Sequence, residues 1–193
     1  STYTLTQSEV GKYIKVTASY TDDDGTVESH SDIHLTVVAN VNDAGSGLSL
    51  ASDGDVADPD QGDALSVTGT LADDDGVTNA APTYQWSRGS SAISGATSSS
   101  YTLVQADVSS IMSVVITYTD DQSESNTITL TAASDTDNVN DAGSGLSLAS
   151  DGDVADPDED DALSVTGTLA DDDGVTNAAP TYQWSRGSSA ISG

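Results

Sequence analysis

Apolar residues recur along this chain with period two, in short runs separated by polar turns. Leu48 and Leu50 alternate with serines, and Leu65, Val67, Gly69 and Leu71 alternate with Ser66, Thr68 and Thr70. Tyr84 and Trp86 flank Gln85, and Tyr101 and Leu103 flank Thr102. Met112, Val114, Ile116 and Tyr118 form the longest alternation, and Ile128 and Leu130 close the set. Such alternation turns every second side chain towards a core. It predicts strands at 47–51, 64–71, 83–87, near 91–94, 101–105, 111–118 and 126–132. No window carries a helical stripe. Short strands divided by Gly, Asp and Ser turns predict an all-β fold, a β-sandwich in Greek-key order. Trp86 and Trp184, each on an alternating strand, read as core residues rather than sugar platforms.

The chain repeats itself at an offset of 98 residues: residues 40–95 return as 138–193, with only Gln61 becoming Glu159 and Gly62 becoming Asp160. Tyr3-Thr-Leu-Thr-Gln7 returns as Tyr101-Thr-Leu-Val-Gln105, and Tyr20-Thr-Asp-Asp23 as Tyr118-Thr-Asp-Asp121. A period of this length is one small domain. The expected organisation is the C-terminal half of a repeat at 1–41, a complete repeat at 42–139 and the N-terminal half of the next at 140–193. After Asp121 the second copy reads as three residues shorter in its turn (Gln122-Ser-Glu-Ser125). It regains them before the junction (Ser134-Asp-Thr-Asp-Asn138), and loops tolerate such changes. No leader-like segment opens the sequence, which reads as a mature segment or internal fragment.

Charge narrows the function. Acids outnumber bases 32 to 4, giving a formal net charge of −28. Only Glu9, Glu28, Glu124 and Glu159 are glutamate; the other acids are aspartate. Such a polyanion lacks the clustered Lys and Arg that hold a nucleic-acid backbone or an anionic membrane. With no cysteine, there is no disulfide scaffold or thiolate chemistry.

The acids gather in turns. Strands that alternate in direction assign each loop to one pole of the domain. Asp73, Asp74 and Asp75 then lie at the leading pole with Asp120 and Asp121, beside Asn42 and Asp43. Asp53, Asp55, Asp58, Asp60 and Asp63 lie at the trailing pole, with Asp107, Asp135, Asp137, Asn138, Asn140 and Asp141. Asp22 and Asp24, in the turn that closes at Gly25, and Asp171 and Asp173 are counterparts in the neighbouring copies. Two such poles in contact repel unless a cation lies between them. Ca2+ is the expected ion, because it takes six to eight oxygens in an irregular shell and binds extracellular modules at roughly 10⁻⁴–10⁻³ M. Mg2+ keeps its waters and suits a protein-built cage less well. The competing reading is plain solvation, in which a charge run is only a wet face. That reading expects acids along the outward strand faces, which instead carry Ser and Thr.

Asn40-Val-Asn-Asp43-Ala-Gly resembles the cadherin linker Asp-x-Asn-Asp-Asn. It is still more similar to the Asn-Val-Asn-Asp-Ala-Pro linkers of large bacterial RTX-type surface adhesins, built from tandem immunoglobulin-like or cadherin-like repeats. TLADDDG (70–76), TYQW (83–86), AISGAT (92–97), SYTLVQADV (100–108) and VVITYTDD (114–121) also resemble those repeats. The resemblance implies a calcium-stiffened extender of a long secreted protein at the bacterial cell surface, serving cell adhesion. Gly45 stands where that family usually has proline, and Asn40 where cadherins have aspartate. The expected consequences are a more flexible arm and a weaker ion position. No Gly-Gly-x-Gly-x-Asp nonapeptide occurs.

Other chemistry is poorly served. Asp73-Asp-Asp-Gly76 matches the middle of an EF-hand loop, but Leu71 takes the first ligand place and no Glu follows at the last. His30 and His34 offer zinc no third ligand. Copied carboxylate pairs without an aromatic cleft argue against a glycosidase, and no catalytic residues are expected. Lys12 and Lys15 give way to Ser110 and Ser113, against a repeated Lys–Asn crosslink. Arg88 and Arg186 are expected to pair with nearby acids or to solvate a turn. The expected partners are neighbouring repeats of the same chain or identical chains. Two alternatives remain: a ligand-binding adhesive module for glycan or surface, and a head-to-tail filament in which residues 140–193 of one chain complete residues 1–41 of another.

Overall fold

The structure is a computed structural model that describes residues 1–176 and 179–191. It is all-β and built from antiparallel sheets. In chain order the strands are β1 (Lys15–Thr21), β2 (Val27–Ile33), β3 (Ser46–Ser52), β4 (Ala64–Ala72), β5 (Thr83–Arg88), β6 (Ser91–Ala92) and β7 (Ser100–Thr102). There follow β8 (Ile111–Thr119), β9 (Ser125–Asp135), β10 (Ser144–Ser150), β11 (Leu163–Ala170), β12 (Ser185–Arg186) and β13 (Ser189–Ala190). The chain divides into two compact units, one of residues 1–137 and one from residue 138 onward.

In the first unit, one sheet has the order β3-β4-β7 and the other β6-β5-β8-β9. The chain crosses between them after β4, β6 and β7, so consecutive strands supply both faces of one core. Leu65 and Leu103 enter it from the first sheet and its margin, and Trp86, Met112, Val114, Ile116 and Ala132 from the second. The alternation along β8 reads out directly: Met112, Val114, Ile116 and Tyr118 are buried, while Ile111 and Thr119 are exposed. Each large apolar side chain so removed from water contributes about 1.5–3 kcal/mol. Trp86 is fully buried, stacks on Tyr101 at a centroid distance of 5.9 Å, and donates its indole N–H to the Ser98 carbonyl at 2.9 Å.

The strands lie where alternation places them, with two differences. The fifth predicted strand, 101–105, ends at Thr102, because the chain turns into a 3-10 turn at Gln105–Asp107. That turn is closed by Asp107, which accepts the Val104 amide at 2.8 Å. β9 continues to Asp135, past the predicted end at 132, through an irregularity opposite Ile111–Ser113.

The sequence offset is also a structural one. β10 and β11 pair as β3 and β4 do, with Leu146↔Gly167 repeating Leu48↔Gly69 and the same register shift beside it. The 3-10 turn at Gln7–Glu9 repeats that at Gln105–Asp107. The β1–β2 turn has the same length as the β8–β9 turn, which corrects the three-residue difference read from the sequence. Thr21 pairs with Val27 as Thr119 pairs with Ser125. Ladder pairing keeps the turn equally tight in both copies. It sets Glu28, His30 and Asp32 opposite Tyr20, Ala18 and Val16.

Candidate metal centre

Two turns at the leading pole build the site. β4 ends into Asp73, whose Oδ1 accepts the Asp75 amide at 2.9 Å, while the Gly76 amide returns to the Asp73 carbonyl at 3.0 Å. β8 ends into Asp120, whose Oδ1 accepts the amides of Gln122 and Glu124, both at 2.9 Å. An aspartate at the head of a turn binds the backbone two residues on, which is why Asp is chosen over Glu here. The two turns meet. Asp73, Asp75 and Asp120 each bring a carboxylate oxygen within 4.8 Å of the others.

Neutral donors hold these oxygens. The Tyr118 hydroxyl donates to Asp73 Oδ2 at 2.5 Å, and the Asn126 amide donates to Asp120 Oδ2 at 2.8 Å. Burial first, then Asp73 and the nearby Asp120, push the Tyr118 hydroxyl pKa well up, so it stays a donor. Tyr118 reaches Asp73 only because Gly45 has no side chain; a Cβ there would collide with the phenol. The same glycine occupies the place where resemblance suggested proline, and here it serves close packing.

The segment before the domain enters the same cluster. Gln7 donates to Asp75 Oδ1 at 2.8 Å and to Asn40 Oδ1 at 3.2 Å, and the Asp43 amide donates to Asp75 Oδ2 at 3.0 Å. Asn42 and Asn126 exchange side-chain amide bonds at 2.8 and 3.3 Å. Residues of the 1–41 segment, the linker and two loops of the 42–137 domain therefore converge on one carboxylate group.

Asp75 is 3% exposed and Asp120 6%, yet no Lys or Arg is paired with either. Among the described residues the one ion pair is Arg88–Asp107, whose partners lie 2.6 Å apart. Asp107, fully buried, also accepts the Tyr101 hydroxyl at 3.0 Å. Arg88 thus pairs with an acid as expected. Two unit charges about 4.8 Å apart repel by roughly 3 kcal/mol at an effective dielectric near 20. Hydrogen bonds from neutral groups orient the three carboxylates of the cluster without removing that repulsion. A hard cation would. The three carboxylates could hold one, with the Asn42 and Asn126 carbonyl oxygens close by.

The other expected ligands lie elsewhere. Asp121 ties the two loops together: its Oδ2 accepts the Thr78 hydroxyl at 2.7 Å and the Thr78 amide at 3.2 Å. Those bonds, the hydroxyl first, hold its carboxyl below the usual range. Its carboxylate also fills the space beside Gly76. At the trailing pole, Asp53 Oδ1 accepts the Ala64 amide at 2.6 Å and Asp55 Oδ1 the Ala57 amide at 2.9 Å. Asp58 accepts the Ser134 hydroxyl at 3.3 Å, Asp60 and Asp137 form a parallel bridge, and Asp135 pairs with Ile111. The linker therefore docks on the first loop there through backbone bonds. Among the described residues these aspartates do not gather into a three-carboxylate group. Asp22 closes its own turn by accepting the amides of Asp24 and Thr26 at 3.0 and 2.8 Å.

The second unit repeats the first steps of the site. Asp171 Oδ1 accepts the Asp173 amide at 3.0 Å, and the Asp141 amide donates to Asp173 Oδ2 at 3.1 Å. Asn140 donates to the Asp141 carbonyl at 3.0 Å. Gln7, Tyr118 and Asn126 were not among the sequence candidates. Gln7 and Tyr118 had a signal, since each recurs at the 98-residue offset, as Gln105 and Tyr20. Asn126 had none, because its counterpart is Glu28.

No protein-family profile, curated protein or solved structure matches this chain.

Proposed function

We propose that this chain is an extender segment of a long extracellular repeat protein, made of tandem immunoglobulin-like Greek-key domains stiffened by Ca2+ at their junctions. The reading rests on one observation above the rest. Asp73, Asp75 and Asp120 form a largely buried carboxylate group, paired with no Lys or Arg among the described residues, that also binds Gln7 and Asp43, from the chain leading into the domain. An ion at that group would neutralise the repulsion and join the two segments through shared ligands. Calcium suits the donor set, which is all oxygen and irregular, and sites of this type fill at the calcium levels found outside cells. The role is mechanical: reach and a fixed angle between successive repeats, with neighbouring repeats as partners and no catalysis. Placement at a bacterial cell surface, in an adhesin-like protein, follows from the resemblance of the linker and strand motifs.

The test is calcium addition and removal on the whole chain. Calcium at millimolar levels should raise the melting temperature and lengthen the particle seen by small-angle scattering, and EDTA should reverse both. A melting temperature and scattering length that ignore both reagents would leave the acids as a solvated surface only.

A further inference from the structure

Gln7 reaches Asp75 from a braced position. It opens the 3-10 turn Gln7–Glu9, and the residues after that turn are tied to the outgoing segment. The Gly11 amide donates to the Val38 carbonyl at 2.9 Å, the Val38 amide donates to the Lys12 carbonyl at 3.0 Å, and Val10 and Val38 form a parallel bridge. Gln7 also holds Asn40, two residues past that bridge, through its side-chain amide. The bracing belongs to the repeat. In the complete copy the Ser109 amide donates to the Thr136 carbonyl at 2.8 Å, the Thr136 amide donates to the Ser110 carbonyl at 3.1 Å, and Val108 bridges Thr136. Gln105, Asn138 and Asp173 stand at the 98-residue offset for Gln7, Asn40 and Asp75. The Asp141 amide meets Asp173 as that of Asp43 meets Asp75.

The bond from Gln7 to Asp75 Oδ1, at 2.8 Å, has no companion. Among the described residues it is the one hydrogen bond that runs from residues 1–41 to residues 42–137, and no ion pair joins them. It also gives Asp75 Oδ1 a donor, while the Asp43 amide serves Oδ2. Asp75 is 3% exposed, and a desolvated carboxylate oxygen without a donor is costly. The donor's neutrality matters. A lysine in its place would hold Asp75 but cancel a charge that a cation needs. A glutamate would repel Asp75 whenever no cation lay between them. A carboxylate oxygen has two lone pairs, so a neutral amide can keep its bond while a cation takes the other side.

We propose that Gln7 is the ion-independent catch of the junction: its amide docks residues 1–41 on the following domain through Asp75 when no cation is bound, and its neutrality leaves the carboxylate group free to take one. The second half rests on the calcium reading above; the first does not. Calcium at this junction would add to a docking that already exists.

The test uses the full chain. It has no cysteine, so Ser29→Cys and Thr129→Cys, both at exposed strand positions, accept nitroxide labels specifically. In EDTA, electron–electron resonance distances should show one dominant docked population. Gln7→Ala should lower the ratio of docked to dispersed molecules by about tenfold or more, the weight of a hydrogen bond to a charged group. Gln7→Glu should lower it further, and Gln7→Lys should keep it. Calcium titration should give the opposite order: tighter binding for Gln7→Glu, and binding weakened by about tenfold or more for Gln7→Lys, because ligand charge sets affinity. Merely structural damage would not move docking and affinity in opposite directions. Near-ultraviolet dichroism from the Trp86 core should be unchanged in every variant. A wild type that is dispersed in EDTA, or a Gln7→Ala chain that docks as fully as wild type, overturns the catch. Calcium that binds none of the four proteins overturns the junction ion and the second half of the proposal, while the EDTA comparison decides the catch by itself.

Discussion

Tyr118 donates its hydroxyl to Asp73 at 2.5 Å across the gap left by Gly45. The linker glycine, the last inward residue of β8 and the first acid of the β4–β5 loop thus form one packed unit. A Cβ at Gly45 would also lie 2.7 Å from Tyr118 Cζ, so the ring itself must move. Gly45→Ala is expected to destabilise the chain by about 1–3 kcal/mol, the usual cost of overpacking. Urea unfolding followed through Trp86 fluorescence would measure it. Tyr118→Phe in the same background should relieve only part of the loss, because Cζ remains.

The three clustered aspartates and the other acids of the same pole should respond differently to neutralisation. Asp75→Asn and Asp120→Asn each remove a charge from the group without changing its shape, and ligand charge sets calcium affinity. Each should weaken calcium binding by about tenfold or more, read by titration calorimetry. Asp53→Asn, at the opposite pole, should leave that affinity unchanged. Asp121→Asn should lower stability through loss of the Thr78 bonds while changing affinity little. An Asp121 effect on affinity as large as that of Asp75 would assign it to the ion shell.

The strand pattern was legible because alternation is a local property, and each inward residue of β8 announces its own burial. The poles of the acids followed from strand direction alone. What the sequence did not resolve is which acids touch. Asp121 and Asp120 are adjacent and chemically identical, yet one caps a turn inside the cluster and the other ties down Thr78. That choice depends on turn geometry, which spacing does not encode. The relative length of the β1–β2 and β8–β9 turns was misread for a related reason. Turn length is set by where the ladder closes, Thr21 on Val27 and Thr119 on Ser125, and an odd slide would reverse every side chain. Gln7 was overlooked because its role lies 68 residues away, at Asp75.

Arg88 and Asp107 should be unequal when mutated. Asp107 is wholly buried, and the Arg88 side chain is one-third exposed. Removing Arg88 leaves a desolvated carboxylate facing only neutral donors. Arg88→Met is therefore expected to cost about 3 kcal/mol, near the lower limit for a broken buried pair. Asp107→Asn leaves the partly hydrated guanidinium access to water, so it should cost less. Adding Arg88→Met to Asp107→Asn should cost far less than Arg88→Met alone, since the charge that needed it is gone. Chemical denaturation of the four proteins gives the coupling directly.

The same network makes stability depend on alkaline pH. Burial raises the Tyr101 hydroxyl pKa above its ordinary 10.0, the Asp107 bond and charge add to that, and Arg88 opposes it. The folded chain therefore keeps the Tyr101 proton at pH values where the unfolded chain has lost it. By linkage, its contribution is fully present below about pH 10 and falls as pH climbs from there towards the folded value. Tyr118 is shifted the same way, so wild-type melting alone would not isolate Tyr101. The difference between wild type and Tyr101→Phe does. Below about pH 9 the variant should be less stable, having lost the hydroxyl that donates to Asp107, by about 1 kcal/mol. Between about pH 10 and pH 11.5 the gap should narrow, because only the wild type must hold a proton there. Thermal melts across that range check the sign: a gap that widens with pH would mean that the hydroxyl ionises more readily in the fold than outside it.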